Sequence, residues 1–460
     1  MMDMTRGEQR LGGADMALIV LFLLGIYLNI SVQLGHRIPF PDAPVAPIAM
    51  AMLWRQKNRI TQAHLAGLSI VFLVYFAAMF FAPKPMEFFG KRFTGLVQLT
   101  YSLVLGYALF LTLTQASRRQ LAKLFLGFCV VLVIGCLLES YGGLRPISDK
   151  FRLFFFQGYI YDSDLRDQQL YGRIRPKLFT SEPSYVTFAY TIFLFAWFMF
   201  SQWRWKLWGY LAMVGIGQVA MPGPTLLLSL ALIVPYELFL GGRSGLAGLN
   251  YQRVFKVAVL GMFMAALFVI IGLTLYSARL HQLNSGQDAS FFVRETGPAL
   301  LARYVAAHFP IGGAGLTGEI VIYNQMLSVY EASPAFYSGW GAASAEAILT
   351  NYFWSHWIYL GLVFGVAAAG AVTFWLKTLN VPSPIFSWAI WAIMGQSLGG
   401  YVAPRAWFVL FVAAAASALH QRSAYTASVA PARPTGLQPA VAAVRARSAQ
   451  RRPLWRALPG

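Results

Sequence analysis

This sequence has little charge, and least of the negative sign: 12% of its 460 residues are charged, and only 17 are Asp or Glu, against 36 Lys and Arg. At about 150 residues per domain the length suits three soluble domains, but a 58% hydrophobic content and a mean hydropathy of +0.57 exclude them. Aromatics at 15% and recurrent long apolar runs exclude a disordered chain. The net charge of +19 does not point to nucleic acid, because basic residues of a membrane protein gather at the cytoplasmic surface and set topology. Cysteine is nearly absent. Cys129 and Cys136 share one apolar run, and on a helix their Cα atoms stand about 10 Å apart, beyond the ~7 Å reach of a bridge, so they read as inert core thiols. The six histidines are scattered and no acidic cluster or Cys/His spacing suits a metal. The polar start, Met1 to Asp15, leads into an apolar stretch too long for a cleaved signal peptide.

What is present is a series of apolar segments, near 16–34, 43–54, 63–82, 95–115, 121–139, 184–201, 206–221, 224–240, 256–277, 355–376, 384–401 and 404–420. The expected fold is an all-α polytopic membrane protein with about twelve spans. The segment from Ala43 to Trp54 is short enough to be a half-span, and omitting it inverts everything downstream. With it, Arg55, Lys57, Arg59, Arg118, Arg119, Lys123, Arg204, Lys206, Arg243, Arg253, Lys256 and Lys377 fall on one side with both termini, the bias expected of cytoplasmic connections. Residues 1–420 then form the transmembrane domain, and 421–460, rich in Ala, Pro and Arg, a disordered basic cytoplasmic tail.

Two outside loops are long, about 140–183 and 278–354, and function concentrates in such loops. The first carries Arg145, Lys150, Arg152, Arg166, Arg173, Arg175 and Lys177, interleaved with Phe154, Phe155, Phe156, Tyr159, Tyr161 and Tyr171. Basic residues placed against the topology bias suit a polyanionic ligand, since guanidinium groups grip phosphate oxygens bidentately. The bland reading is a solvated loop whose arginines pair with Asp149, Asp162, Asp164 and Asp167, a reading that fits Arg166 best. Ser181 as N-cap with Pro183 in the first turn gives the next span free amides beside Arg175. In the second loop, Thr296 as cap, Pro298 in the first turn and Leu301, Tyr304 and Val305 at helical spacing predict an amphipathic helix. A glycine turn, Pro310-Ile-Gly-Gly313-Ala-Gly315, follows it.

Arg175 seven positions before Glu182-Pro183-Ser184, Arg294 sixteen before Pro310, the turn with Gly313 and Gly315, and Asn351-Tyr352 ten before Gly361-Leu-Val-Phe-Gly365 resemble, in this order, the bacterial O-antigen ligase and polysaccharide polymerase family. The resemblance covers about residues 170–370. It implies a glycosyltransferase of the bacterial inner membrane that works on the periplasmic face without metal or other cofactor. The donor would be a glycan on undecaprenyl diphosphate, and the acceptor a sugar hydroxyl. Carried over, Arg175 and Arg294 bind the donor diphosphate as catalytic groups and the Gly313/Gly315 turn shapes the site. Arg173, Lys177, Glu182, Arg303 and Asn351 complete the expected binding set. The ligases carry a histidine just before the asparagine, where this chain has Thr350, so Glu346 becomes the first candidate for a general base, followed by Glu182, Glu295 and His356.

The leading expectation is therefore polymerisation of lipid-linked repeat units of an O-antigen or exopolysaccharide, with a chain-length regulator and the bilayer as partners and no nucleic acid. Alternatives are a ligase to lipid A core, a flippase or transporter of lipid-linked glycan, and a structural membrane component. The nearly charge-free spans weigh against transport: Glu139 and Glu237 lie near segment ends, and Gln218 and Gln396 are isolated.

Overall fold

The computed structural model describes residues 11–34, 38–156, 161, 164–241, 251–334 and 349–429. The chain divides into two units, residues 8–420 and a terminal unit of 1–7 with 421–460. Of the terminal unit, only the end of the Pro404–Val429 helix lies among the described residues, so the helix runs some way into the stretch read as tail.

Each of the twelve apolar segments carries a helix, the backbone form that satisfies its own hydrogen bonds where lipid offers none, although 16–34 ends in a strand and 384–401 is helical only to Gly395. Among the described residues, six helices are long and apolar enough to cross a membrane: Gln62–Phe81, Phe89–Leu113, Arg118–Tyr141, Pro183–Phe200, Tyr251–Leu275 and Tyr352–Thr378. The short segment is the helix Val45–Arg55, which at 11 residues spans about 16 Å, half of the ~30 Å hydrocarbon core. Before it lies the exception to the all-α expectation, a two-stranded antiparallel ribbon of Val32–Leu34 and Ile38–Phe40 with Gln33 opposite Pro39.

Pro183–Phe200 is the central helix, 94% of its apolar stretch buried, and packs on Arg118–Tyr141; Tyr251–Leu275, 11% buried, is peripheral. Beside the centre, every residue from Ala406 to Ser417 is buried, and the four alanines Ala413 to Ala416 permit close helix approach. Cys129 and Cys136 are buried free thiols, as expected.

The Tyr352–Thr378 helix is broken at Gly361, whose φ of 67° and ψ of −166° suit glycine alone. The glycine turn supplies partners for the amides and carbonyls this break exposes. Leu362 and Val363 donate to the Pro310 carbonyl at 2.7 and 3.0 Å, while Ala314 and Gly315 donate to the carbonyls of Ile358 and Tyr359 at 2.8 and 3.0 Å. A Cβ on Gly361 would lie 2.7 Å from the carbonyl oxygens of Phe309 and Pro310. Gly361→Ala is therefore expected to destabilise the protein by about 2 kcal/mol or more, as strain plus clash, read as a lower melting temperature in detergent; an unchanged value would mean that the break relaxes.

Candidate functional site: an arginine cluster where the two long loops meet

The first loop folds as helices Arg145–Phe155 and Asp164–Tyr171, the second as Ser277–Asn284 and then a nearly continuous run of Ala289–Phe291, a π-helical turn Phe292–Thr296 and Gly297–His308. Tyr171 joins them: its ring lies under the Arg175 guanidinium at 4.6 Å and packs edge-on against Tyr276 at 6.0 Å, and its hydroxyl accepts from Arg279 at 3.0 Å.

Arg175 donates through Nε to Asp167 at 2.8 Å and through Nη2 to the Tyr161 hydroxyl at 3.2 Å. Arg279 is bound by Asp288 at 2.6 Å. Burial depresses both guanidinium pKa values, yet Tyr171 and the respective aspartate outweigh it and hold both above the ordinary arginine value. Arg294 is the opposite case. Burial lowers its proton affinity, Glu182 counters this as its main attraction, and Arg279 and Arg175 lower it further. Half-buried, the Arg294 side chain makes no hydrogen bond or ion pair among the described residues. Its neighbour Glu295 is also half-buried, and burial pushes the carboxyl up to about 7 against the pull of Arg294.

The backbone here is built to hold these side chains. Arg294 lies in the π turn, where the Gly297 amide bonds back to the Phe292 carbonyl, a geometry often found at functional sites. The Thr350 hydroxyl donates to the Val293 carbonyl at 3.2 Å, and Asn351 Nδ2 donates to the Arg294 carbonyl at 2.7 Å and to Gln396 at 2.9 Å. Asn351 Oδ1 meanwhile caps the Tyr352–Thr378 helix by accepting from the Trp354 amide at 3.1 Å. Asn351 is thus a positioning residue, fully buried behind Arg294. Asn351→Ala strands the Arg294 carbonyl and removes a cap, an expected loss of about 1–3 kcal/mol by thermal melting. Asn351→Asp, which keeps the cap but not the donors, should lose almost as much; if it melts like wild type, other contacts hold the π turn.

On the other side, Glu139 at the end of its span accepts from the amides of Lys177 and Leu178 at 2.9 and 2.5 Å. It holds a turn in which Leu178 and Phe179 have φ of 34° and 65°, a strained conformation of the kind that gathers near sites. The turn leads to Glu182, which is the N-cap residue of Pro183–Phe200; the expected Ser181 is not. The extended backbone that proline demands of its predecessor puts Glu182 there, and its side chain accepts from Ser184 at 2.6 Å and leaves the helix amides uncapped. Thr296, expected to cap Gly297–His308, is itself helical and does not cap, because the π turn runs straight into that helix; Leu301 and Val305 are buried as its spacing predicted.

The other expected site residues disperse. Lys177 is buried on Asp164 at 2.9 Å, and Arg173 bonds Tyr141 at 2.8 Å and the Val219 carbonyl, so both tie the loop together. Asp149 takes Arg152, and Arg166 is exposed without a partner among the described residues, contrary to the pairing expected of it. Arg303 is exposed on Gly297–His308. Gly313 and Gly315 lie beyond the far end of that 12-residue helix, itself about 18 Å long, and their bareness is explained by packing: a Cβ would lie 2.5 Å from the Gly361 amide nitrogen and 2.2 Å from Arg92 Nε. His356 is buried and hydrogen-bonded to Tyr401 at 2.8 Å and the Gly365 carbonyl at 3.0 Å, a structural role. Glu346 and Asp162 lie outside the described residues.

Arg279 was not singled out in the sequence, where it looks like the basic flank of a span; its place two residues into the second loop is the one signal. Also missed is a buried pair near the Pro183–Phe200 helix start: Arg405 stacks on Tyr185 at 4.2 Å and stands 4.0 Å from Asp42, whose carboxyl burial pushes up to about 7. Among the described residues, no three His, Cys, Asp or Glu side chains group as metal ligands. The arginine cluster offers charge-assisted hydrogen bonds to an anion beside one carboxyl poised to exchange a proton near neutrality. No protein-family model matches this chain, and no curated protein sequence matches it.

Proposed function

We propose that this protein is a membrane glycosyltransferase of the polysaccharide polymerase type, extending a glycan by transfer of lipid-linked repeat units from undecaprenyl diphosphate. The observation that carries the reading is the Arg294 guanidinium, which makes no hydrogen bond or ion pair among the described residues and stands beside Arg175 and Arg279 at the start of an apolar helix. A departing diphosphate gains negative charge as the glycosidic bond breaks. Arginines already fixed in place stabilise that charge without reorganising, which is where such catalysis gains most. The cluster lies where a lipid carrier could bring its head group, next to helices that can cross a bilayer. Glu295 replaces Glu346 as the proposed base: in its ionised form it takes the proton of the attacking sugar hydroxyl.

In this reading the twelve apolar segments are twelve membrane passes, the helix of the second, Val45–Arg55, covering only part of its pass; both termini are cytoplasmic, the membrane is the bacterial inner membrane, and both long loops lie in the periplasm. Thr350, in place of the ligases' histidine, favours polymerase over transfer to lipid A core.

A deletion strain tests it, by gel analysis of surface polysaccharide and of extracted undecaprenyl-linked glycans. Single repeat units on the carrier or on lipid A core are expected. Full-length polymer on the carrier with none on lipid A would make the protein a ligase, and repeats confined to the cytoplasmic face would make it a flippase.

A further inference from the structure

The Arg145–Phe155 helix is amphipathic in the wrong sense for a helix packed on a protein in water. Its inward face is polar: Ser148 and Arg152 are buried, at 0% and 2% exposure. Its outward face carries Ile147, Leu153 and Phe154, exposed at 61%, 62% and 72%, with Lys150 among them. The inward polar groups are used. Arg152 donates to the carbonyls of Thr180 at 2.8 Å and Ser181 at 3.2 Å and to Asp149 at 2.7 Å, and Ser148 accepts from the Phe179 amide at 3.0 Å.

The outward face continues a surface already fit for lipid. The Arg118–Tyr141 helix, one of the six long enough to cross a membrane, exposes Val130, Val131, Ile134, Leu138 and Tyr141. It ends in a tight turn in which Gly142 and Leu144 both donate to the Leu138 carbonyl, at 2.8 and 3.1 Å, with Gly143 at φ 77°. The next helix begins at once, so its apolar face follows directly from the apolar flank of the span.

We infer that Arg145–Phe155 is an interfacial helix, lying in the bilayer surface with Ile147, Leu153 and Phe154 among the acyl chains. Its long cation on the same face, Lys150, snorkels to the phosphate level. Through Arg152 and Ser148 the helix holds the 179–181 backbone, and so fixes how far Arg175 and Glu182 stand from the lipid head groups. The inference concerns the lipid surface alone and holds whatever reaction the arginines serve.

The test is nitroxide accessibility on the full-length protein in vesicles of phosphatidylethanolamine and phosphatidylglycerol. Leu153→Cys and Phe154→Cys are labelled, with wild type, whose two cysteines are buried, as the blank and Arg166→Cys as the exposed reference. Labels at 153 and 154 are expected to be relaxed severalfold more by oxygen, which partitions into lipid, than by a water-soluble nickel chelate. Dominance of the chelate, as on a loop in water, would overturn the inference; so would protection from both agents, which would mean that protein covers the face.

Discussion

Arg294→Ala is expected to lower glycan transfer by about 10²–10³-fold while the protein stays in the membrane at normal abundance. Arg175 and Arg279 each spend donors on an aspartate and on tyrosine hydroxyls, so removing either also strands a buried carboxylate and disturbs the fold. Arg294 makes no hydrogen bond or ion pair among the described residues, and its attraction to Glu182 acts beyond ion-pair distance, so its side chain can be cut back without breaking a contact pair. Its loss relieves the mutual repulsion of three arginines, so the variant should melt no lower than wild type. Arg294→Lys keeps the charge but not the planar fork; losing one charge-assisted hydrogen bond of about 1.5–3 kcal/mol leaves it about tenfold to a hundredfold slow. The check is the polymer ladder in cells and the transfer rate of purified protein on lipid-linked repeat units. A normal ladder from the Ala variant would sink the assignment of Arg294, and with it the reading of the cluster as a diphosphate site.

How far the sequence alone leads depends on the range of the interaction. The helices were legible because lipid-length apolar runs have one stable backbone solution, and the proline at 183 marks a helix start locally. Arg175 and Arg294 stood out by spacing, but Lys177 and Arg173 looked just as suitable; only the fold reveals that Asp164 and Tyr141 have claimed them. Asn351 reads as a ligand contact, yet it acts on a carbonyl 57 residues away. The glycine turn was read as shaping the substrate site, whereas the demand for bare backbone comes at Gly313 from the break at Gly361, 48 residues on, and at Gly315 from Arg92, and no local pattern points to either. Arg279 failed to register for the same reason: its meaning lies in Tyr171, at the opposite side of four apolar helices in the sequence.

Glu295→Gln separates charge binding from proton transfer. Losing a general base costs about 10²–10⁴-fold, so the variant should bind the donor as wild type does and turn over slowly. The pH dependence is the sharper readout. With a pKa of about 7, raised first by burial and restrained by Arg294, the wild-type base is ionised above neutrality. kcat/KM should rise about tenfold per pH unit below 7 and level off above it, and in the Gln variant this limb should vanish. A diphosphate bound to Arg294 cancels the positive charge that keeps Glu295 ionised, so the limb in kcat should lie at higher pH than that in kcat/KM. Stability must move the other way. The folded state favours the protonated carboxyl, so native stability falls as pH rises from the unfolded value near 4.5 through 7, and Gln, which mimics the neutral acid, should melt at or above wild type at pH 8. A variant that is both slow and less stable at pH 8 would place Glu295 among the structural supports of the π turn, and the base would have to be sought elsewhere.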